Sequence, residues 1–257
     1  MASSLEIVTV PCLSDNFAYI IRDTATGKVG VVDAPDAAAI AEVLYAYDWG
    51  LDWILLTHHH GDHVEGVPEL RSRFGSKCVG ARKDAGRLPK LDAALSEGDH
   101  WKLGESEAQV IDVSGHTLNH IAFYFKESGV VFSGDSLFAM GCGRVFEGTH
   151  QMMWTSLSKL AALPPETKAY FGHEYTLSNA KFALTADPEN AALAERAAEV
   201  EAMRARGEIT TPTTIGRELA TNPFLRAADL SVQKAMGMEN AEPAAVFAEV
   251  RRRKDRF

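Results

Sequence analysis

Four of the nine histidines in this 257-residue chain stand between positions 58 and 63, in the segment Thr57-His58-His59-His60-Gly61-Asp62-His63. A divalent metal needs several nitrogen or oxygen donors converging at about 2.0 to 2.2 Å. Alternate residues at the end of an extended strand put their side chains on one side, so His58 and His60 point together and His59 turns away. Gly61 lets the backbone turn, and Asp62 and His63 then present a second pair of donors at the start of a helix expected over Val64 to Arg73. An accidental surface run does not account for a His-x-His-x-Asp-His pattern placed directly after an apolar strand. For His59 alone, whose parity is wrong, a packing role is the better account.

One ion is satisfied by fewer donors than this segment offers, so donors elsewhere would complete two sites. His116 follows the apolar run Val110 to Val113, Asp135 follows Val130 to Phe132, and His173 follows Tyr170-Phe171. Glycine immediately precedes each of the three, which permits tight turns and close backbone approach around an ion. His100, His120 and His150 lack that strand-end setting and read as structural; His120, near His116, is the one that could support a ligand from behind. Nucleophilic chemistry has weaker support: no Gly-x-Ser-x-Gly elbow is present, and Cys142, between two glycines, reads as a small packed residue. Cys12, Cys78 and Cys142 are odd in number and widely spaced, which fits a reducing compartment and no disulfide framework.

The elements that must carry these donors alternate in type. Glu6 to Val10, Phe17 to Ile21 and Val29 to Val32 read as neighbouring antiparallel strands, Asp36 to Tyr47 as a helix with apolar Ile40, Val43, Leu44 and Tyr47, and Trp53 to Thr57 as a buried strand. Strands recur at Gln109 to Val113, Ile121 to Phe125, Val130 to Phe132 and Lys168 to Phe171, with a helix expected over Met152 to Ala162. Two similar halves with helices outside imply a layered α/β/β/α sandwich. Beyond about residue 176 the chain is rich in helix formers, with helices expected at Asn190 to Arg206 and Pro243 to Arg253 and no strand between them. The expected organisation is a catalytic domain over residues 1–175 and a helical, substrate-binding appendage over 176–257.

The net charge of −9 argues against nucleic acid as a partner, and no stretch approaches the roughly 18 to 20 apolar residues of a membrane span. The opening Met1-Ala2-Ser3-Ser4-Leu5-Glu6 lacks the basic and apolar regions of a secretory leader, so a cytoplasmic location is expected; a monomer is the expected state. The tail Arg251-Arg252-Arg253-Lys254-Asp255-Arg256 is strongly basic in an acidic chain.

These residues resemble the metallo-β-lactamase superfamily, and within it the glyoxalase II family. The likeness covers nearly the whole chain. Thr57 to His63, Gly115-His116-Thr117 and Gly134-Asp135 are the superfamily's widely shared motifs. Gly141-Cys142-Gly143-Arg144, Phe146-Glu147-Gly148-Thr149, Gly172-His173-Glu174-Tyr175, Asn222-Pro223-Phe224 and the tail ending Lys254-Asp255-Arg256-Phe257 are specific to the glyoxalase II branch. The resemblance implies a four-layer αββα metallo-β-lactamase sandwich with a C-terminal all-helical appendage. It implies two divalent ions: His58, His60 and His116 on one, Asp62, His63 and His173 on the other, Asp135 bridging both. Zinc is the default, and iron or manganese suit the same nitrogen and carboxylate donors.

The activity implied is hydrolysis of an S-(2-hydroxyacyl)glutathione thioester, S-D-lactoylglutathione, to glutathione and D-lactate, the second step of methylglyoxal detoxification. A metal-bridging hydroxide would attack the thioester carbonyl, with Asp62 a secondary candidate as proton acceptor. The basic tail then has a use, because glutathione carries two carboxylates and Arg suits planar carboxylate recognition. By resemblance Arg251 and Lys254 bind the glycine end, with Arg144 and Tyr175 nearer the metals. The sequence departs from the family's commonest pattern in having Arg144 and Phe146 where Lys and Tyr are usual, which keeps the charge and loses a hydroxyl contact. A persulfide dioxygenase, lactonase or β-lactamase on the same fold is the nearest alternative, since fold does not fix substrate.

Overall fold

A computed structural model describes residues 5–257 of the chain. It divides into two compact units, one holding the chain up to Asp112 together with Asn119–Gly134, the other holding Val113–Leu118 and Asp135–Phe257.

The first unit contains β1 (Leu5–Cys12), β2 (Asn16–Asp23), β3 (Val29–Val32), α1 (Ala37–Ala46), β4 (Trp53–Leu55), α2 (Gly61–Val64), α3 (Val67–Phe74), β5 (Lys77–Ala81), β6 (Ala93–Leu95), β7 (His100–Leu103), β8 (Ser106–Asp112), β9 (Ile121–Phe125) and β10 (Val130–Gly134). Strands β1 to β6 form one sheet in sequence order. The β1-β2-β3 part is antiparallel, as the three short β-branched runs predict, and β3 to β6 run parallel. The antiparallel ladder β10-β9-β8-β7 belongs to a second sheet.

The first sheet buries both faces. Against one lies α1, whose N-terminus is closed by the Asp36 carboxylate accepting from the amides of Ala38 and Ala39. Its Ile40 and Leu44 enter a core with Val10, Ile20, Val31, Ile54 and Leu70. On the other side Tyr19 meets Phe132, which in turn meets Phe125 edge-on, so the two sheets share an aromatic layer. Each fully buried phenylalanine there stabilises the sandwich by about 2 kcal/mol.

The helix expected over Val64 to Arg73 is two pieces, α2 and α3, broken at Glu65-Gly66. Pro68 sits in the first turn of α3, where its ring and missing N–H are tolerated only at a helix start. Gly66 lies so close to Ala34 that an added Cβ would stand 2.8 Å from its carbonyl oxygen. The break sets α2 as a short turn directly after the histidine segment.

The second unit contains β11 (Leu137–Phe138), β12 (Gly141–Cys142), α4 (His150–Ala161), β13 (Lys168–Phe171), α5 (Thr176–Ala186), α6 (Ala191–Ala205), β14 (Thr213–Thr214), α7 (Ile215–Thr221), α8 (Leu230–Met236) and α9 (Pro243–Asp255). Thr149 and Asn190 cap α4 and α6 with their side chains. The strand β14 interrupts the otherwise helical C-terminal segment, pairing Thr213 and Thr214 with Ala169 and Lys168 of β13. At two residues it is too short to leave a periodic pattern in the sequence. Phe224 gathers Phe182 and Phe247 about it, tying α5 and α9 to the segment after α7.

Candidate metal centre

In the first unit the histidine segment leaves the C-terminal end of β4. Thr57 is fixed there by Asp33, whose carboxylate accepts from the Thr57 amide at 2.9 Å and from its hydroxyl at 2.8 Å. Asp33 ends β3 with a φ of +56°, a left-handed conformation that Asp tolerates better than most residues. The other consequence of Asp33 is on His63, whose Nδ1 lies 2.9 Å from Asp33 Oδ2. A carboxylate only accepts, so Nδ1 of His63 is the donor to Asp33 and Nε2 is turned to the opposite side, 3.8 Å from Asp62 Oδ2, the orientation metal-binding histidines use.

His58 is fully buried, with Nδ1 3.0 Å from the Thr57 hydroxyl and Nε2 3.1 Å from His60 Nδ1. Two ring nitrogens held that close face the same point in space, as two ligands about 2.0 to 2.2 Å from one ion would. His120 stacks on His58 at 4.6 Å and 16°, walling it from behind. Asp62 is half exposed and takes a hydrogen bond from the Asn16 amide at 3.1 Å. His59 points elsewhere: its Nδ1 is 3.1 Å from the buried carboxylate of Asp84, which also binds Arg87 and Asn119.

In the second unit His116, Asp135 and His173 come together. Asp135 Oδ2 lies 3.5 Å from His116 Nε2 and 3.3 Å from His173 Nε2, so one carboxylate oxygen stands between two imidazoles. His116 Nδ1 donates to the Arg144 carbonyl at 2.8 Å, which turns Nε2 toward Asp135. Two glycines make this packing possible. Gly115 has a φ of +151°, and a Cβ there would stand 2.8 Å from Met153; a Cβ on Gly143 would stand 1.9 Å from the Asp135 carbonyl oxygen. His173 follows β13 and stacks on Tyr175, with centroids 4.7 Å apart and the rings 2° from parallel.

The cations of the tail lie in this second unit. Lys254 donates to the carbonyl and hydroxyl of Ser178, both neutral groups. Burial, and then the charges of Arg251 and Arg144, push its pKa down to about 8. Arg251 is only 3% exposed; it donates to the Cys142 carbonyl at 2.8 Å, pairs with Asp255 and lies over the Phe224 ring. Arg144 extends toward Asp255 at 3.7 Å and is largely exposed. Phe146, 61% exposed, sets its ring edge-on to His116 at 5.3 Å.

His and Asp side chains are thus gathered into clusters able to hold metal ions. The donor set is imidazole and carboxylate without thiolate, which fits zinc, iron or manganese. Cys142 belongs to none of these clusters, and burial pushes its thiol up to about 11.

Residues 15–173 match the family described as the metallo-beta-lactamase superfamily, and residues 174–257 match the hydroxyacylglutathione hydrolase C-terminus. The hydroxyacylglutathione hydrolase of Ruegeria pomeroyi is 57% identical over 253 residues, spanning 98% of this chain and 99% of its own. This chain belongs to the hydroxyacylglutathione hydrolase family. Among solved structures, ETHE1 from Myxococcus xanthus is 25% identical, with a TM-score of 0.67 over 97% of this chain and 98% of that one. TTHA1623, solved in a di-iron-bound form, is 26% identical, with a TM-score of 0.60 over 86% of this chain and all of its own. The mixed α/β fold with a helical C-terminal segment is therefore the metallo-β-lactamase fold with the hydroxyacylglutathione hydrolase C-terminus.

Several residues that shape the site in this family member left no mark on the sequence reading. Asp33 is the chief one: an acid at the end of an apolar strand, Val29 to Val32, was the available signal. Asn16, at the start of β2, and Asp84, in a short 3-10 turn after β5, approach the histidines through tertiary structure alone.

Proposed function

We propose that this chain is a dinuclear metal-dependent thioester hydrolase that converts S-(2-hydroxyacyl)glutathione, chiefly S-D-lactoylglutathione, to glutathione and a 2-hydroxy acid, D-lactate. The observation that carries the substrate class is Lys254: a half-buried ammonium held beside two guanidiniums with only neutral oxygens bound to it, in a segment that matches the hydroxyacylglutathione hydrolase C-terminus. Asp255 already pairs with Arg251 and Arg144, and a carboxylate of glutathione would supply the counter-charge for Lys254. The reading assigns the catalytic part to residues 1–175 and the substrate-binding part to 176–257.

The assigned ligands are His58, His60 and His116 for one ion and Asp62, His63 and His173 for the other, with Asp135 shared. Three features support this: the facing nitrogens of His58 and His60, the Nδ1 protons that Asp33 and the Arg144 carbonyl hold on His63 and His116, and the Asp135 oxygen between two imidazoles. When bound, two divalent ions supply an ionised water at neutral pH and polarise the thioester carbonyl. Asp62, whose Oδ2 accepts from Asn16, is the secondary candidate to receive a proton, after its role as a ligand. The departing thiolate, whose parent thiol has a pKa near ~8.5, needs little help from a general acid. Arg144, Lys254 and, from beneath them, Arg251 supply the positive field for the glutathione carboxylates, while Tyr175 and Phe146 border the ligands His173 and His116.

Zinc is the proposed resident ion, with iron or manganese acceptable to the same donors. We place the enzyme in the cytoplasm as a monomer, in keeping with three free, buried thiols. No helix of the described residues is long and apolar enough to cross a membrane. The test is hydrolysis of S-D-lactoylglutathione before and after chelation, with metal content read on the same sample. Activity should vanish on chelation and return with about two ions per chain. A fully metallated protein without thioesterase activity would sink the reading and direct assays to oxygen consumption with persulfide substrates and to lactone hydrolysis.

A further inference from the structure

Between Asp135 and Arg144 the chain makes a short excursion through β11 and β12. The hairpin turns on Ala139 and Met140, and Met140 has a φ of +53°, which a residue with a Cβ adopts at a cost. Two wholly buried side chains hold this turn, Glu218 from the middle of α7 and Asn222 from the position that ends it. Glu218 Oε2 accepts the Met140 amide at 2.8 Å. Asn222 donates to the Gly141 carbonyl at 2.9 Å and to Phe138 at 3.2 Å. The other Glu218 oxygen takes Arg196 Nη2 and the Thr213 hydroxyl, each at 2.6 Å, so the buried carboxylate is paired and hydrogen-bonded.

The excursion begins and ends against the ligands. Asp135 precedes it; Gly143, packed on the Asp135 carbonyl, closes it; and the next carbonyl, Arg144, accepts the Nδ1 proton of His116. A displacement of the turn moves that carbonyl, and with it the orientation and tautomer of the His116 ring.

We propose that Glu218 and Asn222 are positioning residues for His116: acting through the Leu137–Cys142 hairpin, the helical segment fixes the carbonyl that orients a metal ligand. The proposal rests on the reading of His116 as a ligand. Its consequence is that side chains remote from the ligands set metal affinity.

The test titrates metal-free protein with zinc against a chromophoric chelator and records the absorption of the cobalt form. Asn222→Ala removes the two carbonyl contacts, together with its bonds to Glu218 Oε2 and the Phe224 amide, and keeps the Glu218–Arg196 pair; Glu218→Gln is a second variant, with the risk that Arg196 loses its counter-charge and the protein fails to fold. Thr213→Val is the control, because it strips a hydrogen bond from the same carboxylate on the side away from the hairpin. Asn222→Ala is expected to bind one of its two equivalents about tenfold more weakly, with an altered cobalt spectrum, while Thr213→Val melts lower yet binds as the parent does. A folded Asn222→Ala with parental affinity overturns the proposal, as does an equal loss of affinity in Thr213→Val. His116→Ala separates the two readings: if it keeps both equivalents, the ligand assignment itself has failed, and the positioning role falls with it.

Discussion

Lys254 should make glutathione recognition depend on pH in a window where an ordinary lysine would not. Its ammonium is driven from the usual 10.5 down to about 8 by burial and by the neighbouring Arg251 and Arg144. If only the charged form holds the carboxylate, about nine-tenths of the protein is competent at pH 7, half at pH 8 and about one-tenth at pH 9. The dissociation constant for an unreactive S-alkylglutathione should then rise about tenfold between pH 7 and pH 9. Calorimetry gives the constant without the complication of turnover. Binding at pH 8 to 9 should also take up a proton, seen as a binding heat that changes with the buffer's ionisation heat. Lys254→Met should bind weakly and lose this component; the ligand's own amine titrates nearby but contributes equally in both proteins. The stability effect has the opposite direction. Because the folded pKa lies below the unfolded one, the unfolded chain holds more protons between about pH 8 and 10.5, and Lys254 destabilises the fold fully below pH 8 and progressively less above it. A constant affinity from pH 7 to pH 9, or the same decline in Lys254→Met, would refute the argument.

Asp33→Asn should weaken metal binding about 10- to 100-fold, because it removes the charged acceptor behind His63; a competition titration with unchanged affinity would contradict this. Phe146→Tyr restores a hydroxyl beside His116, and one hydrogen bond of about 0.5 to 1.5 kcal/mol predicts a KM for the thioester roughly two- to tenfold lower. An unchanged or raised KM counts against that contact. Burial raises Cys12 to about 12 and Cys78 and Cys142 to about 11, so all three thiols should resist an aromatic disulfide reagent at pH 8 and react together in denaturant. A thiol that reacts rapidly in the native protein would show that its burial is wrong.

Much of this arrangement was legible because the chemistry is written locally. The parity of His58 and His60 and the glycines before His116, Asp135 and His173 all act within a few residues of themselves. The break between α2 and α3 was missed although Pro68 marks it, because the apolar spacing on either side runs on as if uninterrupted. Strands β5 and β6 were missed for another reason: Lys77 to Ala81 and Ala93 to Leu95 are short and rich in small residues, and only parallel pairing with buried neighbours makes them strands. Glu218 and Asn222 were out of reach of any local pattern, since their partners lie about eighty positions earlier in the chain. The basic tail was visible as charge alone. That Arg251 lies buried beneath the patch while Lys254 and Arg144 reach its surface is a fact of packing.

The hairpin at Leu137–Cys142 pairs Leu137 with Cys142 and Phe138 with Gly141 around a two-residue turn, and its ends abut the proposed ligands Asp135 and His116. Side chains along it could be exchanged for others of similar volume, but its residue count could not change. One inserted residue would either push Arg144 past His116 or slip the pairing so that inward and outward faces trade places. The spacing between Asp135 and Arg144 is therefore a fixed length in the way a gear has a fixed number of teeth. Peptide insertions scanned through this protein should be tolerated at loop tips elsewhere and rejected throughout this interval.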